Sequence, residues 1–401
     1  MADTSTTQAS PPPAPPAGTG TVATSASTSA APPTEPETEE APQLETDDEA
    51  YVSSFSLVFY ATLKVLIFVP TGNRGWCLNR RAAVRLHPRS SFWFGRPWLT
   101  ATSSNYSASV TSSVVDYPVE YGRRYHAYRP GSYKFPNDEF EMDRLDLAHA
   151  MMVKAIGSKL YLAPLEKEKI HDILDIGTGT GICTNSQKIC RAVEMGDIFH
   201  NAEIIGNDLS AIQPEWTPPN VKFEIDDVES PWIDKKYDYI MCRYMAASIK
   251  DWPKLVKNIF DHLNPGGWAE FQEMNSEYYS NDGSYNESHA TYKWNQTFVN
   301  ACSVMGRDAC PAPKIRTWVH DAGFENISAK RIKSPLGPWP KDPFFKDLGM
   351  MNLCLTLDGL EAFSLKLFCD VLGREKDEVL VELAGVRSEL KKGEFHALFD
   401  L

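Results

Sequence analysis

The chain has 401 residues, of which 42% are hydrophobic, and a formal net charge of −13. That length and apolar content suffice for one large core with chain to spare. No basic patch rises to the electrostatic footprint of a nucleic-acid binder, so direct nucleic-acid binding is not expected. The charge is unevenly placed. Residues 1–50 hold nine prolines and nine acids, with no Lys or Arg. Such a segment cannot bury enough apolar surface to fold alone and reads as a disordered acidic tail. It carries most of the negative charge, so the acidity says little about substrate. The same acidic, polar start is no secretory or mitochondrial presequence. The eight cysteines are scattered without a C-x-x-C pair. No metal site is expected, and a reducing compartment, cytoplasmic or nuclear, fits best.

Residues 51–110 break the pattern, with seven basic residues and no acids. Within them, residues 55–69 are strongly apolar, interrupted by Ser56, Thr62 and Lys64. A bilayer span takes about 20 residues, so no membrane span is expected. A buried hairpin or helix, a membrane-touching segment and sequence foreign to the fold are the three readings. The third is favoured because Ser/Thr-rich, tail-like sequence resumes at residues 101–113. A folded domain is therefore expected over residues 111–401.

Within that domain, the stretch Asp172-Ile-Leu-Asp-Ile-Gly-Thr-Gly-Thr-Gly-Ile182 is the most informative. A short apolar run ends in a glycine-rich turn, the pattern of a buried parallel strand entering a loop. Gly177, Gly179 and Gly181 free the backbone to turn tightly and to approach a ligand, with Thr178 between them. The spacing is G-x-G-x-G. A dinucleotide fingerprint would need glycine where Ile182 stands, which disfavours a nicotinamide-dependent oxidoreductase. A phosphate-cradling loop is excluded by the missing Gly-Lys-Ser/Thr ending. Asp175 before the turn suits a ligand with an ammonium group and a ribose, such as S-adenosylmethionine. A plain tight turn is the alternative reading of the glycines.

Further strands are expected at residues 201–208, 221–227, 237–242 and 266–272, alternating with helical stretches. That order implies βαβ units and a parallel sheet. Ligands in such sheets lie beyond the carboxyl ends of the strands, where Asp175, Asp208, Asp227 and Cys242 all fall. Asp208, with Leu209 beside it, is placed to accept from ribose hydroxyls; a solvated strand-end acid is its alternative. Asp226 reads as exposed. Trp232 is an adenine wall or core. Cys242 reads as a small buried residue rather than a nucleophile. Arg243 closes the fourth strand and could meet a cofactor carboxylate or a substrate acid. Trp252, Trp268, Trp294 and Trp318 read as core or pocket walls.

Long segments of the chain carry a resemblance. Tyr121-Gly-Arg-Arg-Tyr-His-Ala-Tyr128, Phe135-Pro-Asn-Asp-Glu139, LDIGTGTGI at 174–182 and IGNDLSAIQPEWTPPNVKFEIDD at 205–227 belong to it. SIKDWPKL at 248–255 and LNPGGWAEFQE at 263–273 complete the set. From about Tyr117 onward the chain resembles the fungal LaeA-like, S-adenosylmethionine-dependent methyltransferases. The resemblance implies a Rossmann-like class I α/β fold, with a mostly parallel seven-stranded sheet and helices on both faces. It places the adenine-contacting acid at Asp227 with the Val228 amide nearby. It sets Tyr125 and His126 in a lid at residues 117–149. It implies a small-molecule or protein methyl acceptor and a setting in secondary metabolism or its regulation, with regulatory protein partners. A methyltransferase-like regulatory subunit is the alternative function. No catalytic residue is assigned. Methyl transfer from a sulfonium is an in-line displacement that positioning can largely accelerate.

Three expectations concern departures from the ordinary fold. From Gly181 to Asp208 is 27 positions, whereas a crossover helix and its strand need about 18–20. The excess maps to residues 183–191, where an insertion either bulges outward harmlessly or displaces the helix terminus facing the glycine turn and puts activity in question. Residues 274–320 and 333–364 are expected to cover the substrate, with helices at 314–322, 360–372 and 375–391 and a sixth strand at 324–332. The last strand, at 394–401, is expected to pair beside the sixth, to be incomplete and to leave an open sheet edge.

Overall fold

The computed structural model describes residues 44–46, 114–180, 191–214 and 217–401. Most of the acidic tail, the basic and apolar segment 51–110 and residues 183–190 lie outside the described residues. Of the tail, Glu45 and Thr46 run antiparallel to the backbone at Pro340 and Lys341, the Lys341 amide donating to the Glu45 carbonyl at 2.8 Å.

Five strands form the central sheet: β3 (Asp172–Ile176), β4 (Glu203–Asp208), β5 (Val221–Ile225), β6 (Tyr237–Arg243) and β7 (Leu263–Gln272). Their order is β5-β4-β3-β6-β7, and every pairing is parallel. The order reverses at β3, so its carboxyl end opens a crevice between neighbours that diverge. Side chains alternate across the sheet as the pleat requires. Ile173, Ile204, Tyr239 and Met241 feed one core layer, and Leu174, Ile205, Ile240 and Cys242 feed the other. Both faces are buried, which explains the nearly unbroken apolar runs.

Helices α1 (Glu139–Ala155) and α2 (Arg191–Ile198) precede and follow β3, and α3 (Trp252–Asp261) links β6 to β7. Asp138 caps α1 by accepting from the Glu141 amide. Asp251 caps α3 by accepting from the Lys254 amide, with a proline in its first turn. A short hairpin, β1 (Val119–Glu120) and β2 (Arg123–Arg124), leads into α1.

The chain after β7 departs from the expected seven-stranded sheet. Two residues beyond β7 it resumes as β8 (Asn275–Tyr279). β8 pairs with β10 (Leu398–Asp400), and β10 pairs with β9 (Lys333–Pro335), both antiparallel. The late strands therefore form a second sheet of three and do not widen the first. Residues 324–332, expected as the sixth strand, are not a strand; the next strand after β8 is β9. β10 lies between two partners and leaves no open edge on either side. Its short apolar run is wholly buried, which both flanking strands make possible.

Helices α4 (Ala290–Val304), α5 (Ala312–Ala322), α6 (Pro343–Asp370) and α7 (Lys376–Lys392) complete the fold. The expected helix at 314–322 is α5, and that at 375–391 is α7. The expected helix at 360–372 is the last part of the much longer α6, whose start is capped by Asp342 with Pro343 next. α6 packs against α1, α4 and α7, and α4, α6 and α7 share a separate aromatic core. No helix among the described residues is long and apolar enough to cross a membrane.

Candidate functional site

β3 runs straight into the glycine turn. Gly177 and Gly179 have φ of 62° and 72°, in the left-handed region that disfavours a side chain. A Cβ on Gly177 would collide with the Met245 sulfur, whereas none of the described residues lies within 4 Å of where a Cβ on Gly179 would stand. The turn is thus tight on one side and opens a cradle on the other. The Thr178 amide donates to the Asn207 carbonyl at 2.9 Å. The Gly179 amide donates to Asp208 Oδ2 at 3.0 Å, and Asp208 Oδ1 accepts from the Ser210 amide at 3.0 Å. Asp208 therefore stands at the glycine turn, as its strand-end position predicts. Burial pushes its carboxyl above the usual range. Leu209 follows it, and Thr180 hydroxyl donates to Asp146 on α1. Gly181 lies outside the described residues.

Asp175 is almost fully buried, and both of its oxygens are taken by protein groups. Oδ2 accepts from the Thr178 hydroxyl at 2.8 Å, and Oδ1 accepts from Arg191 Nε. The Arg191 guanidinium also donates to the carbonyls of Ile176 at 3.0 Å and Gly177 at 3.3 Å. Arg191 is the first residue of α2 and is itself buried. The sequence reading set it at the end of an insertion. It is instead built into the turn, so the boundary of the atypical segment moves to Cys190.

Arg243, at the end of β6, turns into the layer below the turn. Its guanidinium donates to His149 Nδ1 at 3.1 Å and to the Leu160 carbonyl at 2.8 Å. Burial, reinforced by the like charge of Arg191, lowers it to about 10. His149 Nε2 meets Glu194 on α2 at 3.1 Å. Burial holds His149 below its ordinary range, so the ring is neutral. Arginine has only donors, so Nδ1 accepts and Nε2–H donates to Glu194. This chain of contacts ties α1, α2 and β6 together beneath the glycine turn.

The hairpin segment reaches over the strand ends at three points. Tyr117 hydroxyl donates to the Ala211 carbonyl at 3.1 Å, Arg129 to Asp227 Oδ2 at 2.8 Å, and Asn137 to the Ser210 hydroxyl at 3.2 Å. Asp227 also accepts from the Glu229 amide, while Asp226 is exposed. Val228 is buried beside Trp232, whose indole donates to its carbonyl and lies 4.9 Å from the His262 ring. Trp232 packs with the core layer of Ile240 and Cys242. Tyr125 is fully buried under the Lys366 ammonium, 4.1 Å from the ring centre, and burial pushes its phenol up. His126 is also buried; burial lowers it, and its Nδ1 has no partner among the described residues.

Cys242 is completely buried, and burial pushes its thiol well up, as a packing residue requires. Beside it Glu273 is buried and raised to about 7 by burial. Its carboxylate accepts from the amides of Met245 and Ala246 at 2.8 and 3.0 Å. It thereby holds the loop that follows β6. Glu273 closes a segment singled out in the sequence, but its role needed the neighbouring strand. Arg129, Arg191 and Met245 carried no motif of their own. Trp252 stacks on Trp318 in the core, while Trp294 donates to the Ser364 hydroxyl at 2.8 Å.

Against the 244–248 loop lies an aromatic cavity of about 120 Å³. Tyr133 and Phe135 line it from the hairpin segment, Tyr278 and Trp294 from beyond β7, and Phe363 from α6. Among the described residues no cluster of His, Cys, Asp or Glu could hold a metal ion.

A family profile described as "Methyltransferase domain" matches residues 139–329. Methyltransferase pytC of Aspergillus terreus is 46% identical over 294 residues, which cover 73% of this chain and 88% of that protein. Secondary metabolism regulator LAE1 of Cochliobolus heterostrophus is 36% identical over 70% of this chain and 91% of its own length. Secondary metabolism regulator laeA of Monascus pilosus is 33% identical over 76% of this chain and 82% of its own.

Proposed function

This chain belongs to the fungal LaeA-like, S-adenosylmethionine-dependent methyltransferases, and from that premise we propose that it methylates a small metabolite in secondary metabolism. One observation carries the reading: the cradle that the described residues leave open at Gly179 adjoins a partly open aromatic cavity across the 244–248 loop. A sulfonium methyl group supplied at the cradle would face an acceptor held in the cavity.

The residues present fit the cofactor. Asp208 lies at the glycine turn with its carboxylate oriented by two amides, and would accept from the ribose hydroxyls. Asp227 and the Val228 amide would meet the adenine, under a lid that Arg129 now fastens to Asp227. Gly177, Thr178, Gly179 and Gly181 would border the methionine end, with Cys242 as a wall. Asp175 and Arg243 are engaged with protein groups and would position the turn, whereas the Tyr125 hydroxyl has no partner among the described residues and stays available to the cofactor. The cofactor supplies an activated methyl group. The chain supplies orientation and exclusion of water, which suffice for much of an in-line displacement.

All three covering segments named from the sequence, residues 117–149, 274–320 and 333–364, contribute to the cavity wall. An aromatic pocket walled by all three segments favours a small acceptor over a protein side chain. A regulatory role is the second reading, because LAE1 and laeA carry that description. Calorimetry with S-adenosylhomocysteine and with NADH tests the cofactor class. Binding of NADH without S-adenosylhomocysteine would end the methyltransferase reading. Product analysis with labelled cofactor and fungal metabolite extracts tests the acceptor; label entering protein alone would end the small-molecule reading.

A further inference from the structure

Two features of the cavity point to its occupant. The first is a pair of buried polar atoms without partners among the described residues: the Tyr244 hydroxyl and Asn352 Oδ1. Both residues line the cavity. The Asn352 amide is oriented unambiguously, because its Nδ2 donates to the Pro335 carbonyl at 2.8 Å and to the Ser334 hydroxyl at 2.7 Å. A carbonyl accepts only, so Oδ1 is the free atom, and it is an acceptor. The Tyr244 hydroxyl is free to donate. Buried polar atoms are normally satisfied, and two unsatisfied atoms on residues that line one cavity point to a ligand that completes them.

The second feature is backbone strain at the same place. Tyr244 and Ala247 adopt φ of 58° and 60°, left-handed conformations that non-glycine residues avoid. Such strain persists where the surroundings over-determine it and concentrates at ligand-binding sites. Here Glu273 supplies the constraint by taking the amides of Met245 and Ala246. The loop is held so that Tyr244 and Ala246 line the cavity while Met245 abuts Gly177.

The wall chemistry narrows the ligand. Among the described residues no acid lines the cavity. The cation that does, Arg144, is held by both oxygens of buried Glu141 and lies 4.7 Å from the Phe363 ring centre. A cationic acceptor such as a lysine side chain would be desolvated there without a counter-charge. The volume of about 120 Å³ is close to the roughly 150 Å³ of a cavity that admits one benzene ring.

We propose that this cavity binds one uncharged aromatic ring of the methyl acceptor, which accepts a hydrogen bond from Tyr244 and donates one to Asn352. The assignment rests on the methyltransferase reading, and its test separates the two. The full chain is first titrated with S-adenosylhomocysteine by calorimetry. The complex is then titrated with resorcinol, a ring bearing both donor and acceptor, and with benzylamine, a cationic ring. Resorcinol is expected to bind and benzylamine to bind at least about tenfold more weakly. Tyr244→Phe is expected to weaken resorcinol about threefold to tenfold, the worth of one hydrogen bond. Thermal stability and S-adenosylhomocysteine affinity should hold, since the hydroxyl removed has no partner among the described residues. Ala148→Leu, which fills the cavity from α1, is expected to abolish resorcinol binding. Failure of S-adenosylhomocysteine to bind overturns the methyltransferase reading. Its binding with no resorcinol binding, or with resorcinol indifferent to both substitutions, overturns the ring subsite. So does equal binding of benzylamine.

Discussion

Arg191→Met tests whether the buried pair at the glycine turn organises the site. In the folded chain Arg191 neutralises Asp175 and donates to two carbonyls of the turn, with both side chains nearly inaccessible. Breaking a buried pair by removing one partner costs on the order of 3–5 kcal/mol, because the remaining charge stays desolvated. The Thr178 hydroxyl still donates to Asp175 and offsets part of this. Two lost bonds to carbonyls add about 0.5–1.5 kcal/mol each. A loss of about 3–5 kcal/mol is therefore expected in urea unfolding. Asp175→Asn alone should cost a similar amount by stranding the guanidinium. The double variant should recover at least about 1 kcal/mol relative to the sum, since neither charge remains unpaired. Calorimetry with S-adenosylhomocysteine follows the same variants and should show weaker binding wherever the turn loosens. A loss under about 1 kcal/mol for Arg191→Met, or strict additivity in the cycle, would refute the reasoning and leave Arg191 a peripheral residue.

Asp208→Ala should weaken S-adenosylhomocysteine binding more than Asp226→Ala, since each charge-assisted bond is worth on the order of 1.5–3 kcal/mol. Equal affinities would count against the assignment of the strand-end acids. Glu273 has a carboxyl raised from 4.5 to about 7 by burial, so the folded state favours its protonated form. The folded chain then binds the extra proton between those values, and stability falls as pH rises through that window, by on the order of 3 kcal/mol at most. Glu273→Gln should flatten the decline between about pH 5 and 7 in urea melts; an unchanged slope would place its cause elsewhere. Deleting Cys183–Cys190 while keeping Arg191 should raise thermal stability or S-adenosylhomocysteine affinity. Loop length alone accounts for only about 0.6 kcal/mol per doubling, and a loss of fold would show the segment to be integral.

The parallel sheet and the place of its ligand crevice were legible in the sequence. Apolar runs ending in Asp175, Asp208 and Asp227, broken by glycines, encode strand, turn and carboxyl end in local chemistry that needs no partner to be read. The membership of the family was legible too, because its segments are long and contiguous. What those acids touch was not. Asp175 and Asp208 look alike along the chain, yet one is consumed by Arg191 and Thr178 while the other faces the turn. That difference arises from residues 16 and 29 positions apart that meet only once α2 and β4 pack against β3. The late strands illustrate the same limit. Residues 394–401 read as a strand from their apolar alternation, but pairing is non-local, and only the tertiary structure determines that residues 398–400 join β8 and β9 instead of the main sheet. The cavity was the least legible feature. Its walls come from the hairpin segment, the β6 loop, α4 and α6, and its two unpartnered polar atoms are defined by what does not reach them, which follows from tertiary packing and from no stretch of sequence.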